Sequence, residues 1–135
     1  MDKIKLYEKD IKRNINGDVL KFFDDRLIKG IKEIYFSNIK KKRIKGWKKN
    51  KSIDQFMYVV NGTIKFVLYN EKKKKFNKFI LGHKRKYAKI IIPKNIWYAF
   101  KGLDKNNLIV NALKIRHDKC SIINKEINKI IKYNL

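Results

Sequence analysis

Short runs of β-branched and aromatic residues, separated by turn-forming residues, follow one another along most of this chain. They cover residues 18–23, 31–39, 56–60, 63–70, 75–81, 87–93 and 107–115. A spacing of roughly 8–12 residues with turn signals in between is typical of a β-sandwich or barrel. Asn61-Gly62 stands between two of the runs and predicts a two-residue hairpin, because both turn positions favour positive φ. The sequence therefore predicts an all-β fold.

The C-terminal segment has a different pattern. Within "SIINKEINKIIKYNL", Ser121 or Asn124 would cap the start of a helix. Isoleucines recur there at helical spacing, namely Ile123, Ile127, Ile130 and Ile131. The pattern predicts a short helix over about 121–134 that lies on the barrel or against a dimer partner. An amphipathic helix on a membrane surface is the alternative.

The size and composition suit one domain. The chain has 135 residues, of which 44% are apolar, enough for a single core. We expect one domain over 1–135, with the barrel at about 14–118. No apolar run approaches the ~20 residues that span a bilayer, and the N-terminus has no apolar signal region. Cys120 is the single cysteine, which excludes an internal disulfide. These features predict a cytoplasmic protein that binds no membrane.

The formal net charge of +24 raises the question of nucleic-acid binding. Lysines supply most of this charge and are spread along the whole sequence, whereas arginine makes the better bidentate phosphate and base contacts. The sequence has no recognisable groove-reading helix or RNA-binding motif. The composition favours a solvated surface, and an anionic partner such as a nucleotide diphosphate stays open.

The stretch from Gly46 to Gly102 has a spacing found in metal-binding barrels of the cupin type. Those barrels place two His two apart on one strand, so both point inward, with a Glu and a third His completing a divalent metal site. The four positions here hold Lys48, Asn50, Gln55 and Tyr98. A protonated lysine cannot ligate, and neutral amides and phenols are poor ligands. We therefore predict no metal and no other cofactor.

Several stretches give the sequence, from about 14 to 124, a resemblance to a known family. It resembles the small cupins related to dTDP-4-dehydrorhamnose 3,5-epimerase and the dTDP-sugar 3,4-ketoisomerases. The matching stretches, in family order, are "IKEIYFSNI", "KGWKKNK", "VVNGTIKFVLYN", "FILG", "IIIPKNIWYAFKGL" and "IRHD". The resemblance implies a cupin-type double-stranded β-helix (a jelly-roll barrel) with the short C-terminal helix. It also implies a nucleotide-sugar substrate and a homodimer.

The resemblance further implies chemistry. These enzymes move a proton next to a keto group through an enolate without a metal, using a His base and a Tyr acid. The base position holds Lys48, and burial in an apolar barrel would lower the pKa of such a lysine toward neutrality. The family's acid position falls at Arg116 or His117, and we expect Tyr98 or His117 to act as the acid. Substrate binding would use Lys45, Asn50, Gln55 and Arg116, with Trp47 and Tyr58 stacking the base.

Each candidate residue also has an ordinary structural interpretation. Lys48 would then reach solvent, Tyr98 would pack in the core, and Gln55 would be a buried hydrogen-bonding amide. His117–Asp118 would be a turn pair, and Trp47 and Tyr58 would be core or dimer-surface aromatics. Two alternative functions follow. One is a sugar-nucleotide-binding barrel without catalysis, because the family's His base is replaced. The other is a basic nucleic-acid-binding protein, which would show a steep salt dependence of affinity.

Overall fold

The computed structural model describes residues 4–22, 29–126 and 131–135. Strands account for nearly all regular structure in these ranges, and one turn of 3-10 helix lies at His117–Lys119. The strands are β1 Lys5–Glu8, β2 Ile11–Lys12, β3 Val19–Leu20, β4 Glu33–Lys40, β5 Ile44–Asn50, β6 Gln55–Asn61, β7 Thr63–Asn70, β8 Lys75–Gly82, β9 Ala88–Ile92, β10 Trp97–Gly102, β11 Asn106–Leu113 and β12 Ile122–Asn124. A helix with the length and apolarity to cross a bilayer does not occur in the described ranges.

Two antiparallel sheets form the barrel. The first sheet has the order β1-β9-β6-β11-β4, and the second sheet has the order β12-β5-β10-β7-β8. A separate two-stranded pair joins β2 and β3. Residues from both sheets share one interior cluster, including Met57, Ile90 and Ile109 from the first and Phe66 and Phe100 from the second. The predicted all-β, cupin-type jelly-roll architecture is confirmed.

Each sheet also has a buried outer face, since alternate residues of a strand point to opposite sides. On the first sheet, the N-terminal residues Ile11 and Leu20 pack on an outer cluster made by Phe56, Tyr58, Tyr87, Val110 and Ala112. On the second sheet, the outer cluster contains Trp47, Val67, Trp97, Ala99, Ile131 and Leu135. The chain termini therefore cover apolar surface that a bare barrel would expose.

A bulge between β5 and β10 depends on Gly46. The register pairs Tyr98 with Lys48, then shifts so that Phe100 pairs with Lys45. Gly46 has a φ of 136° and lies so close to β10 that an added Cβ would stand 2.7 Å from Ala99 Cβ. Only glycine fits this conformation and this approach. Gly46 thus lets Lys48 lie directly across from Tyr98.

The hairpin predicted at Asn61-Gly62 is wrong. Strands end and begin around Gly62 as expected, but β6 belongs to the first sheet and β7 to the second. Gly62 has a φ of 75°, whereas Asn61 is not among the positive-φ residues. The pair forms a corner between sheets, because both flanking strands need the barrel interior for their apolar faces.

The predicted C-terminal helix is wrong for residues 121–126 and 131–135. Ile122–Asn124 instead form β12, which pairs antiparallel with the edge of β5. Residues 127–130, including Ile127 and Ile130, lie outside the described residues, as does residue 23 of the run predicted over 18–23. Of that run, Val19–Leu20 form β3.

Candidate functional site

The barrel interior contains a cavity of about 340 Å³. Its wall combines apolar side chains with cationic, acidic and phenolic ones from both sheets. The lining residues are Glu33, Tyr35, Ser37, Lys45, Lys48, Met57, Tyr98, Phe100, Ile109, Asn111 and His117. A pocket of this size, in which several polar groups converge beside apolar side chains, is typical of a small-molecule site.

Lys48 and Tyr98, the predicted base and acid, lie together in this cavity. They are direct cross-strand partners on β5 and β10. Directly opposed residues have Cβ atoms roughly 5 Å apart and point to the same face of the sheet. Lys48 is half-buried, and Tyr98 is 4% exposed. The structure therefore places an amine and a phenol side by side on one cavity wall.

A buried chain of hydrogen bonds crosses the barrel from Tyr98. Gln55 Nε2 donates to the Tyr98 hydroxyl at 3.0 Å. Asn111 Nδ2 donates to Gln55 Oε1 at 2.7 Å and to the Tyr35 hydroxyl at 2.8 Å. Gln55 and Asn111 are each 1% exposed. Gln55, predicted to hold substrate, thus lies behind Tyr98 and contacts the cavity through it.

Tyr98 and Tyr35, which stand at the two ends of this hydrogen-bond network, stay protonated well into the alkaline range. Burial raises the pKa of Tyr98 far above the ordinary phenol value, and the nearby Tyr35 adds to the effect. Burial likewise raises the pKa of Tyr35, although the hydrogen bond from Asn111 opposes the rise. At neutral pH each hydroxyl is therefore a donor.

His117 and Lys45 lie at the rim of the cavity. The His117 backbone N–H donates to Glu33 Oε1 at 2.6 Å, and its ring meets the Tyr35 ring edge-on at 5.6 Å. These contacts attach His117 to β4 of the first sheet, whereas Lys48 lies on β5 of the second sheet. Lys45 is exposed and precedes the bulge on β5, where its charge is open to an anionic group.

Trp47 and Tyr58, predicted to stack a nucleotide base, do not line this cavity. Trp47 is fully buried in the outer cluster of the second sheet. Tyr58 is fully buried in the outer cluster of the first sheet, beside Phe22 and Tyr87. Trp47 precedes the inward residue Lys48, and Tyr58 follows the inward residue Met57. Because successive side chains of a strand point to opposite faces, both rings point outward. Neither ring is accessible to a ligand in this structure.

Asn50 and Arg116, the remaining predicted binding residues, also lie away from the cavity wall. Asn50 Oδ1 accepts from the backbone N–H groups of Ser52 at 2.8 Å and Ile53 at 3.1 Å, which shapes the turn after β5. The Arg116 side chain is 67% exposed and pairs with Asp118 at 3.6 Å. Asn50 has a structural task, and Arg116 is a surface residue.

The donor set is unsuited to a transition metal. In the described ranges, no three His, Cys, Asp or Glu side chains group closely enough to hold an ion. The inward positions of the metal-binding template hold an amine, an amide and a phenol, at Lys48, Gln55 and Tyr98. Proton transfer is the chemistry that these groups offer.

The sequence interpretation missed two polar residues of this site, Tyr35 and Asn111. Glu33, Tyr35 and Ser37 alternate along β4 and all line the cavity. Asn111 follows the inward Ile109 by two positions on β11. The period-2 pattern of polar residues on a strand that flanks the site was the available signal.

The chain was compared with known proteins. No protein-family model and no curated protein matches it. Solved structures do match. A dTDP sugar isomerase from Desulfovibrio desulfuricans G20 is 27% identical, with a TM-score of 0.82 over 91% of this chain and 83% of that one.

Two further structures have lower identity. The dTDP-6-deoxy-D-glucose-3,5-epimerase RmlC from Legionella pneumophila Philadelphia 1, in complex with dTDP-4-keto-L-rhamnose, is 16% identical, with a TM-score of 0.75 over 96% of this chain and 75% of that one. A mutant of the 3,4-ketoisomerase QdtA from Thermoanaerobacterium thermosaccharolyticum, in complex with TDP-4-keto-6-deoxyglucose, is 16% identical, with a TM-score of 0.71 over 89% and 86% of the two chains. The chain therefore has the cupin fold of the dTDP-sugar epimerases and isomerases.

Proposed function

We propose that this protein acts on a dTDP-linked 4-keto-deoxysugar as an epimerase or keto-isomerase, by metal-free proton transfer through an enolate. Lys48 is the base, Tyr98 is the acid, and Lys45 attracts the diphosphate at the rim. The observation that carries the proposal is the cross-strand pairing of Lys48 with Tyr98 inside a cavity of the barrel. The fold shared with a dTDP sugar isomerase supports the substrate class.

The positions of the two acid candidates bear on the type of reaction. Epimerisation returns a proton to the opposite face of the sugar, so the base and the acid must stand on facing walls. Keto-isomerisation moves a proton between neighbouring carbons, which one base can do from one face. Tyr98 shares the second sheet with Lys48, whereas His117 is attached to β4 of the first sheet. Tyr98 as the acid therefore supports keto-isomerisation, and His117 would serve epimerisation.

The isomerisation balances with these groups alone. The Lys48 amine takes the proton from C3, the electrons form the C3–C4 double bond, and O4 takes a proton from the Tyr98 hydroxyl. The 3-hydroxyl then returns a proton to Tyr98 as the carbonyl forms at C3, and the Lys48 ammonium delivers its proton to C4. The buried phenol stabilises charge on oxygen where it develops.

Deuterium wash-in tests this proposal. The protein is incubated with dTDP-4-keto-6-deoxyglucose in D₂O, and the C3, C4 and C5 positions are followed by NMR. The wild type should exchange C3 and form a 3-keto product with deuterium at C4, and Lys48→Ala should abolish both. Lys49→Ala is the matched control, because Lys49 lies on the opposite face of β5, over the Trp97 ring at 4.8 Å.

The outcomes separate the alternatives. Exchange at C5 with inversion would replace the isomerase by an epimerase. Binding of the sugar nucleotide without exchange would support the catalytically silent barrel. Equal losses in Lys48→Ala and Lys49→Ala would remove Lys48 as the base.

We also propose a homodimer. The edge strand β4 carries two outward apolar side chains, Ile34 at 44% and Phe36 at 62% exposure, and edge strands of this kind need covering. Sedimentation velocity of the wild type and Phe36→Lys tests this. A dimer that the variant dissociates supports it, and a wild-type monomer at micromolar concentration contradicts it.

A further inference from the structure

The hydrogen bonds between Tyr35, Asn111, Gln55 and Tyr98 have a direction. An amide nitrogen only donates, so Gln55 Nε2 makes the Tyr98 oxygen an acceptor, and Asn111 Nδ2 does the same to the Tyr35 oxygen. The second N–H of Asn111 donates to Gln55 Oε1, which keeps the Gln55 amide in this orientation. Asn111 therefore sets the orientation of the whole network.

This direction leaves both phenolic hydrogens unused. Neither Tyr35 nor Tyr98 has a hydrogen-bond acceptor for its O–H among the residues that the structure describes. Both side chains line the cavity. The network consequently offers two O–H donors to an occupant with oxygen acceptors.

Asn111 also presents an acceptor. Its Oδ1 is buried and has no hydrogen-bond partner in the described part of the chain, although the residue is only 1% exposed. Buried polar atoms without partners are costly and uncommon in native structures. A hydroxyl group of a ligand that occupies the cavity would satisfy this atom.

The opposite direction is stereochemically available. Rotation of both amides would make each tyrosine donate into the network, with Asn111 Nδ2 turned to the position of its oxygen. The cavity would then receive no phenolic hydrogen. The two directions differ in what they offer a ligand, and a residue at position 111 that can only accept would hold the network in the second direction.

We propose that Asn111 is a positioning residue that directs the hydroxyls of Tyr35 and Tyr98 toward two oxygens of a bound keto sugar, with Tyr35 as a second substrate-binding donor. This rests on the proposed function. Adjacent carbonyl and hydroxyl oxygens of the sugar match two phenol donors and one amide acceptor. The hydrogen bonds from these phenols become stronger as the carbonyl oxygen gains negative charge in the enolate.

Two near-isosteric substitutions test the direction of the network. In Asn111→Asp the new carboxylate only accepts, so Gln55 must turn its nitrogen toward position 111, and both tyrosines become donors into the network. In Gln55→Glu the new carboxylate accepts from Asn111 and from Tyr98, so only Tyr98 is withdrawn and Tyr35 keeps its direction. Asn111→Leu removes the donors without adding charge. Asn38→Asp, an exposed change on β4, is the charge control.

Binding is measured by calorimetry with dTDP-4-keto-6-deoxyglucose and with dTDP, beside the deuterium exchange. We expect Asn111→Asp to weaken keto-sugar binding at least ~10-fold, about the effect of one lost hydrogen bond in a closed site. Gln55→Glu should weaken it less and still lose exchange, and Asn111→Leu should weaken it too. Binding of dTDP alone should be unchanged in all variants, which a general loss of folding would not allow.

The outcomes distinguish this inference from the proposed function. Wild-type exchange with full keto-sugar affinity in Asn111→Asp overturns the inference and leaves the function standing. Selective loss of keto-sugar affinity in Asn111→Asp, together with no exchange in the wild type, supports the inference and overturns the catalysis. A wild type that binds the keto sugar no better than dTDP overturns both.

Discussion

The two faces of the β5–β10 strand pair have opposite chemistry. On the inner face, Lys48 and Tyr98 meet in a polar cavity wall. On the outer face, Trp47 and Trp97 are buried under the C-terminal residues, at 0% and 1% exposure. Neighbouring positions on one strand therefore serve either chemistry or packing. A register shift of one residue would exchange the two roles.

The outer cluster fixes that register. Two large indoles cannot be turned into the polar cavity without loss of their burial, so they hold β5 and β10 in place. The Trp97 indole N–H donates to Glu71, and Lys49 and Lys125 lie over its ring at 4.8 and 4.7 Å. The buried outer face stabilises the strand pair and lets the inner face carry polar groups.

The largest expected effect comes from Trp47→Ala, which breaks the outer face. Loss of a fully buried Trp should lower the free energy of unfolding by about 3–5 kcal/mol, because the cavity left behind refills only in part. Urea denaturation followed by far-ultraviolet circular dichroism measures it. Phe76→Ala is the control, since Phe76 contacts the Trp47 ring but is 37% exposed. Equal losses in the two variants would show that burial of Trp47 is not what holds the register.

Tyr98→Phe breaks the inner face with little change in shape. The ring keeps its stacking on Phe100 at 5.3 Å, while Gln55 Nε2 loses its acceptor. We expect a stability loss of about 1–3 kcal/mol and a fall in deuterium exchange of at least ~100-fold. Tyr69→Phe on the outer face of β7 should change neither quantity. Exchange that survives in Tyr98→Phe would transfer the acid role to another group, with His117 the next to test.

Much of this contrast could be predicted from the sequence. Runs of β-branched and aromatic residues between turn signals predicted β7 and β8 to within one residue and β4 and β11 to within two, because such residues favour strands. The family spacing assigned Lys48 and Tyr98 to one site, but it placed Tyr98 across the barrel and did not predict that the two residues pair on neighbouring strands. Strand alternation also excludes Trp47 as a cavity residue once Lys48 is placed inside, and the prediction for Trp47 overlooked it.

The sequence alone could not show which long-range pairing would prevail. The isoleucines near the C-terminus fit a helix, yet the unpaired edge of β5 is a stronger partner, and Trp47 and Lys125 exchange two backbone hydrogen bonds of 2.9 Å. Asn61-Gly62 carries a local hairpin signal, but a turn signal does not say to which sheet the next strand belongs. Asn111 gained its role from contacts 56 and 76 positions away in the chain, to Gln55 and Tyr35.

Alkaline pH should lower stability through Tyr98, on the inner face of the β5–β10 pair. An unfolded tyrosine ionises near pH 10, whereas burial keeps Tyr98 protonated to higher pH by raising its pKa. Its contribution to stability is therefore fully present below pH 10 and is lost as pH rises through the raised pKa. The midpoint of urea unfolding, measured from pH 8 upward, should fall more steeply for the wild type than for Tyr98→Phe. Parallel curves would mean that Tyr98 ionises as easily in the folded barrel as in the unfolded chain.

Acidic pH should lower stability through a group outside the barrel and leave both faces of the β5–β10 pair intact. This is the smallest of the expected effects. The pKa of Asp18 is lowered from 3.8 to about 2, mainly by the hydrogen bond from Arg13. The backbone N–H of Asn14 and the side chain of His83, whose Nε2 lies 2.9 Å away, lower it further. A lowered pKa stabilises the fold above pH 3.8, and this contribution is lost as pH falls through about 2. Asp18→Asn should lose stability at pH 6 and match the wild type near pH 2.

Because both tryptophans lie in the outer cluster of the second sheet, their fluorescence should not follow this acid step while the barrel stays folded. A fluorescence change of the wild type that Asp18→Asn abolishes would show instead that the N-terminal cluster and the outer face unfold together.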